Sequence, residues 1–210
     1  QTMNGNTALI TIGADLAAGK GIVVVNSAGN EGSNSSHNTL GAPADGDSVF
    51  TIGAVTSSGI RSSFSSVGPT VDGRTKPDLM AMGSNVFHAS SFGNQYGSGG
   101  GTSYSCPLAA GVCALILQKN PSLNPMEVLQ ILRSTASRSS NPDNQYGWGI
   151  INALTAINSI IVPVEMTLFS GDYENESVNL KWITATELNN FGFEIERRDD
   201  FSSYEKIGFV

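Results

Sequence analysis

Charge is scarce in this chain. Only 14% of its 210 residues are charged, with 11 Lys and Arg against 18 Asp and Glu. Nucleic-acid backbones are held by clustered cations, so a net charge of −7 removes nucleic acid from the expected partners. No apolar run approaches the roughly 20 residues that span a bilayer, so no membrane-spanning segment is expected, and Gln1 opens no signal-peptide pattern. The true N-terminus is expected to lie upstream. Cysteine is limited to Cys106 and Cys113. On a helix their seven-residue separation puts the α-carbons about 10 Å apart, beyond the ~7 Å that a disulfide tolerates. Both read as buried thiols. Histidine is limited to His37 and His88, so few groups are available as a general base.

Against these shortages stand 40% hydrophobic residues and 24 glycines, a composition that suits a folded, loop-rich protein with one core or a core plus a small appendage. Leu9, Ile12 and Leu16 recur at helical spacing, with Gly19 as a stop. Gly21-Ile-Val-Val-Val25 is short, β-branched and apolar on both faces, the pattern of a strand buried in a parallel sheet, and a second strand follows at 49–55. This order predicts an α/β layered fold, in which functional loops gather at the carboxyl ends of the strands. Residues 107–119 read as a largely buried helix through Leu108, Val112, Leu115 and Ile116. Asn124-Pro-Met-Glu127 reads as a capping box with Pro125 at the first helical position of a helix ending near Thr135. Asn152 is expected to cap a last short helix ending near Ile160, and Pro163 marks a boundary.

Beyond Pro163 helical periodicity disappears. Strand-like pieces at 164–169, 177–182, 191–197 and 204–210, separated by turns such as Ser170-Gly-Asp172, indicate about half of an all-β sandwich module, with Trp182 in its core.

Gly-rich sequence generates decoys. Residues 13–20 resemble a phosphate loop but carry five intervening residues and no following Ser or Thr. Residues 97–102 fail the dinucleotide fingerprint at Thr102, and Ser105 stands where a nucleophile elbow around Ser103 requires glycine. What survives is Gly101-Thr-Ser-Tyr-Ser-Cys-Pro107 opening a helix and Ala28-Gly-Asn-Glu-Gly32 closing a strand. A serine at a helix start gains positive potential from unpaired backbone N–H groups, which favours the negative charge that develops when an acyl group is attacked. Taken singly, such a serine is ordinarily a helix cap and such an Asn a turn residue.

The two segments together resemble the subtilase family of serine proteases. Further matching stretches are Arg61-Ser-Ser-Phe-Ser-Ser-Val-Gly-Pro69, Asp72-Gly-Arg-Thr-Lys-Pro-Asp78 and Tyr146-Gly-Trp-Gly-Ile-Ile-Asn152. The resemblance implies peptide-bond hydrolysis through an acyl-enzyme, with Ser103 as nucleophile and the Asn30 side chain and the Ser103 N–H as oxyanion donors. It also implies that Ala28, Gly29, Glu31, Gly101 and Thr102 border a protein or peptide substrate, and that the protein is secreted and bacterial. The family's catalytic His and Asp precede the oxyanion segment, and neither motif occurs here. The chain therefore reads as the C-terminal part of a catalytic domain, inactive alone, whose remaining part lies upstream. His37 reads as a solvated loop residue and His88 as a structural residue on a strand.

The tail resembles fibronectin type III-like modules through Trp182-Ile-Thr-Ala-Thr-Glu187, Phe193-Glu-Ile-Glu196 and Glu205-Lys-Ile-Gly-Phe-Val210. The expected organisation is thus residues 1–161 as the C-terminal part of a subtilase catalytic domain, with a partial parallel sheet and flanking helices, and 162–210 as an incomplete all-β module. A non-catalytic subtilase-like scaffold for binding or display is the alternative. No cofactor is expected: Asp45, Asp47 and Asp72 could contribute oxygens to a structural calcium, but they read as isolated, solvated surface aspartates and the sequence does not support such a site.

Overall fold

In the computed structural model, residues 3–34, 36, 40–91, 93–160, 165–186, 192–200 and 202–210 are described. His37 lies outside them. The chain divides into two compact units, residues 1–160 and 161–210.

The first unit is built on helix α1 (Leu9–Ala18), strands β1 (Val24–Ser27), β2 (Val49–Val55) and β3 (Leu79–Met82), the hairpin β4 (Val86–Ala89) and β5 (Tyr96–Gly99), and helices α2 (Thr102–Lys119), α3 (Pro125–Thr135) and α4 (Ala153–Asn158). β1, β2 and β3 form a parallel sheet in that order, with Val24 opposite Val49 and Ile52 opposite Leu79. β2 is central and buried at every residue, as a strand paired on both edges and covered by α2 must be. β1 begins at Val24 rather than Gly21, because Gly21 turns with φ +89° out of α1, and its residues are half-buried.

α2 packs on all three strands, but the sheet covers one side of it only. Ala109, Cys113 and Ile116, spaced three or four apart, are buried there, whereas Leu108 (47%) and Leu115 (46%) remain exposed. The helix is therefore amphipathic in placement, not buried all round. It opens at Thr102, five residues before Pro107, so Pro107 sits in its second turn rather than its first. The missing N–H removes the helical donor for the Ser103 carbonyl, at a turn open to water. α1 shows a similar one-sidedness. Its Leu9 is 86% exposed, while Thr11 points inward and donates from Oγ1 to the buried Asp45 carboxylate at 2.8 Å.

The cap expectations hold. Asn124 Oδ1 accepts from Glu127 N at 3.0 Å while Glu127 Oε2 accepts from Asn124 N at 2.7 Å, and Pro125 opens α3. Asn152 Oδ1 accepts from Thr155 N at the start of α4.

The second unit holds two antiparallel pairs, β6 (Glu165–Glu174) with β7 (Ser177–Thr186) and β8 (Glu194–Arg197) with β9 (Glu205–Phe209). Ser170-Gly-Asp172 lies inside β6 and is not a turn. The reversal falls at Asn175 and Glu176, both with positive φ, the pair that a two-residue hairpin loop of matching twist requires. Trp182 is half-buried, its ring edge-on to Phe193 with 5.5 Å between centroids.

Candidate active site

β1 runs out at Ser27 into the segment 28–32, and the physical reason that this segment keeps its shape lies in the loop 61–69. Ser66 N donates to Gly29 O at 2.9 Å, Glu31 N to Ser66 Oγ at 3.1 Å, and Gly32 N to Phe64 O at 2.8 Å. A Cβ on Gly32 would collide with the Ser65 carbonyl, so only glycine lets the two segments approach this closely. Ser65 is itself fixed, its Oγ accepting from Ala54 N of β2 and its carbonyl accepting from Arg61 Nη1 at 2.7 Å. The motif at 61–69 is thus the clamp of the Asn30 loop.

The other wall comes from α2. Gly101, with φ +142° and ψ 157°, has a backbone conformation open to glycine alone, and it turns the chain from the hairpin into the helix. Thr102 N donates to Asn30 Oδ1 at 2.9 Å and Thr102 Oγ1 donates to the same oxygen at 3.0 Å. Thr102 Oγ1 in turn accepts from Gly29 N at 3.3 Å. With Oδ1 anchored in this way, the Asn30 amide nitrogen is left as a free donor among the described residues. The point where a Cβ on Gly101 would stand lies 3.5 Å from Asn30 Nδ2 and 3.8 Å from Ser103 N. Two N–H donors from segments 73 positions apart therefore border one small space beside Ser103, which is exposed in the first turn of α2.

Of the remaining sequence-derived candidates, Ala28 is fully buried against Met3, Leu40 and Ala44, and Gly101 and Thr102 are buried. Gly29 is half-buried and Glu31 exposed. Thr102 and Ser66 were legible as motif members, but their work as anchors of Asn30 and its loop depends on pairings 72 and 35 positions apart.

His88, on β4 as expected, does not serve Ser103. Its Nδ1 is 2.8 Å from Ala89 O and its Nε2 is 3.4 Å from the Tyr104 hydroxyl. Among the described residues no group of three His, Cys, Asp or Glu gathers as a metal site. Asp45 is buried rather than on the surface, accepting from Gly5 N and Thr11 Oγ1. Asp47 and Asp72 both pair with Arg74, at 2.6 and 2.9 Å. The hydrogen bond from Arg74, followed by one from Thr70, holds the Asp72 carboxyl below its ordinary value.

Behind the site, the motif 72–78 places a buried ion cluster. Asp78 accepts from Lys76 Nζ and from Thr51 N, each at 2.7 Å, and also from Arg133 Nη2. Lys76 Nζ donates in addition to Val49 O at 2.8 Å. The motif 146–152 lies against it, with Trp148 N donating to Asp78 O and Ile151 N to Met80 O, and the Trp148 ring 3.9 Å below the Arg133 guanidinium. Cys106 is half-buried and Cys113 buried, and neither is in a disulfide. Burial pushes the Cys106 thiol up and the Cys113 thiol up to about 12.

A parallel sheet flanked by helices, with an asparagine loop at a strand end facing a serine at a helix start, defines a partial subtilisin-like α/β fold. The self-cleaved protease domain of PatA superposes with a TM-score of 0.58 at 26% identity, covering 69% of this chain and 52% of that one. Residues 3–149 match the subtilase family, peptidase S8, and the chain belongs to it. It is 43% identical over 152 residues to subtilisin NAT of Bacillus subtilis subsp. natto, covering 72% of this chain and 38% of that protein. It is 44% identical over 153 residues to subtilisin DY of Bacillus licheniformis, covering 73% and 53% respectively. To the serine protease AprX of Bacillus subtilis it is 38% identical over 158 residues, covering 65% and 35%. The chain thus spans between about a third and a half of the length of these relatives. Among the described residues no helix is long and apolar enough to cross a membrane.

Proposed function

We propose that this chain supplies the nucleophile and the oxyanion donors of a serine endopeptidase. Ser103 Oγ attacks the scissile carbonyl and carries the acyl group, while Asn30 Nδ2 and the Ser103 N–H receive the developing oxyanion. The observation that supports this reading best is the double anchoring of Asn30 Oδ1 by Thr102, which leaves the amide nitrogen beside the space that the Ser103 N–H also borders. Ala28, Gly29, Glu31, Gly101 and Thr102 border the peptide substrate through their backbone or by supporting it.

An unassisted serine hydroxyl is a poor nucleophile near neutral pH and needs a base within about 2.6–3.2 Å. Both ring nitrogens of His88 face other groups. Among the described residues no base is left for Ser103, and the family's His and Asp motifs do not occur in the sequence. We therefore assign the base and its orienting carboxylate to a preceding part of the same protease and expect the 210 residues alone to be inactive. In keeping with its Bacillus relatives the protein acts outside a bacterial cell, and the unit at 161–210 is an incomplete fibronectin type III-like spacer.

Labelling with a fluorophosphonate probe, which phosphonylates only an activated serine with loss of fluoride, tests the assignment. The full-length protein labels rapidly and its Ser103→Ala variant does not, whereas the 210-residue chain labels slowly or not at all. Rapid Ser103-dependent labelling of the chain alone would overturn the missing-base reading. No labelling of the full-length protein would favour the non-catalytic scaffold.

A further inference from the structure

The hairpin β4–β5 reaches the first turn of α2 through an aromatic pair that the catalytic assignment leaves unused. Its two faces differ. Phe87 and Tyr96, stacked at 5.2 Å, stand exposed on one, while Val86, His88, Gly97 and Gly99 form the other, half-buried one. The register sets His88 opposite Gly97 and Val86 opposite Gly99. The missing side chains at the two glycines open a slot for rings. A Cβ on Gly99 would overlap the Tyr104 ring and hydroxyl, so the ring lies directly across the β5 backbone. The His88 ring lies beside it, with centroids 5.2 Å apart and Nε2 facing the Tyr104 hydroxyl at 3.4 Å. On the other side His88 is held by Ala89 O at Nδ1. That contact fixes the imidazole while leaving Nε2 to hold the tyrosine.

Tyr104 directly follows Ser103, and the stretch before the serine, Gly97-Ser-Gly-Gly-Gly-Thr102, carries no bulky side chain. A peptide laid along that stretch toward the exposed Ser103 therefore meets Tyr104 as the first large group. We propose that Tyr104 is a specificity-determining residue of this site and that His88 is the positioning residue that pins it across Gly99. The ring, held down, forms a fixed wall that restricts one substrate position beside the scissile bond to small side chains. Released, it swings and admits bulkier ones. This rests on the serine-protease reading given above.

Two measurements on the full-length protein separate the inference from that reading. In the NMR spectrum the His88 ring nitrogens report the pairing whether or not the protein cleaves anything. Tyr104→Phe, which keeps the ring and removes the hydroxyl, shifts the His88 Nε2 signal, and an unchanged signal overturns the pair. The second is cleavage of two peptide series, each with Gly or Phe at one position flanking the scissile bond. His88→Ala lowers the preference for Gly by about two- to tenfold, as loss of one hydrogen bond allows, through KM for the Phe peptide more than through kcat. Tyr104→Ala lowers it further, and His88→Gln, whose amide oxygen can accept from the Tyr104 hydroxyl as Nε2 does, restores part of it. Preferences unchanged in all three variants at every flanking position overturn the proposal while leaving Ser103 as nucleophile. Absence of fluorophosphonate labelling in the parent protein instead overturns the serine-protease reading and the specificity role together.

Discussion

Thr102 donates twice to one oxygen, its N–H at 2.9 Å and its hydroxyl at 3.0 Å from Asn30 Oδ1, so the orientation of an amide on one loop is set by a residue 72 positions later. The backbone donor survives Thr102→Val, but the hydroxyl donor does not. Thr102→Val should therefore loosen Asn30 without removing it, and lower kcat by about two- to tenfold with little change in KM. Asn30→Ala removes the donor itself and should cost about 10²–10³ in kcat, a value borrowed from measurements on a subtilisin. Steady-state kinetics on the full-length protein decide the matter. A Thr102→Val effect confined to KM would contradict the anchoring role.

The ion cluster predicts a stability effect far from the site. Lys76 is 3% and Asp78 0% exposed at the side chain, so Asp78→Ala would leave the Lys76 ammonium buried with only the Val49 carbonyl. Breaking one partner out of such a pair costs about 3–5 kcal/mol. Urea unfolding should show the midpoint of the first unit falling steeply for Asp78→Ala and less for Arg133→Met, whose partner Asp78 keeps Lys76. Equal losses for both would mean that the pairing with Lys76 is not what makes Asp78 matter.

Asn124 offers a smaller and more local test. Its side chain accepts from Glu127 N and its N–H is satisfied by Glu127 Oε2, so Asn124→Ala removes the first bond and leaves the second. A loss of about 1 kcal/mol is expected from thermal or urea unfolding. Asn124→Asp or Asn124→Ser should retain most of the stability, and a loss as large as that of Ala would argue against the cap.

Alkaline pH should act through Cys113, whose thiol burial raises from an ordinary 9.0 to about 12. The unfolded chain loses this proton first, so the folded state binds more protons between the two values. The stabilisation is fully present below pH 9 and declines as pH rises toward 12, by at most roughly 1.4 kcal/mol per pH unit. Cys113→Ala should start from a lower stability at about pH 8 because the thiol's packing is lost. Its further fall between about pH 8 and pH 10.5 should be smaller than that of the parent. An identical fall in both proteins, followed by urea unfolding, would exclude Cys113 as a contributor.

Local signals were readable from the sequence where a few adjacent residues suffice to define them. Asn124, Pro125 and Glu127 define a helix start within four positions, and Val49 to Val55 carries enough β-branched and apolar residues to form a strand in any context that buries it. β5 escaped that reading because two of its four residues are glycines, which pair through their backbone and carry no pattern. Ser170-Gly-Asp172 has turn chemistry, yet it continues β6, because pairing with β7 and the positive-φ residues Asn175 and Glu176 place the reversal further on.

At the site, the sequence by itself determined which residue types are present and in what order: the Ala28 to Gly32 segment, the Ser65 and Ser66 pair, and the Gly101 to Ser103 helix start, an order that marks the subtilase family. Only the tertiary structure decided how they meet. Strand β1 and helix α2 deliver Asn30 and Ser103 to the same sheet edge, and Thr102 rather than any neighbour in sequence orients the amide. The physical reason is that side-chain hydrogen bonds across 72 positions leave no periodic or local trace. Burial likewise belongs to the structure: Leu108 and Ile116 are equally apolar in the sequence, and the sheet covers Ile116 but not Leu108.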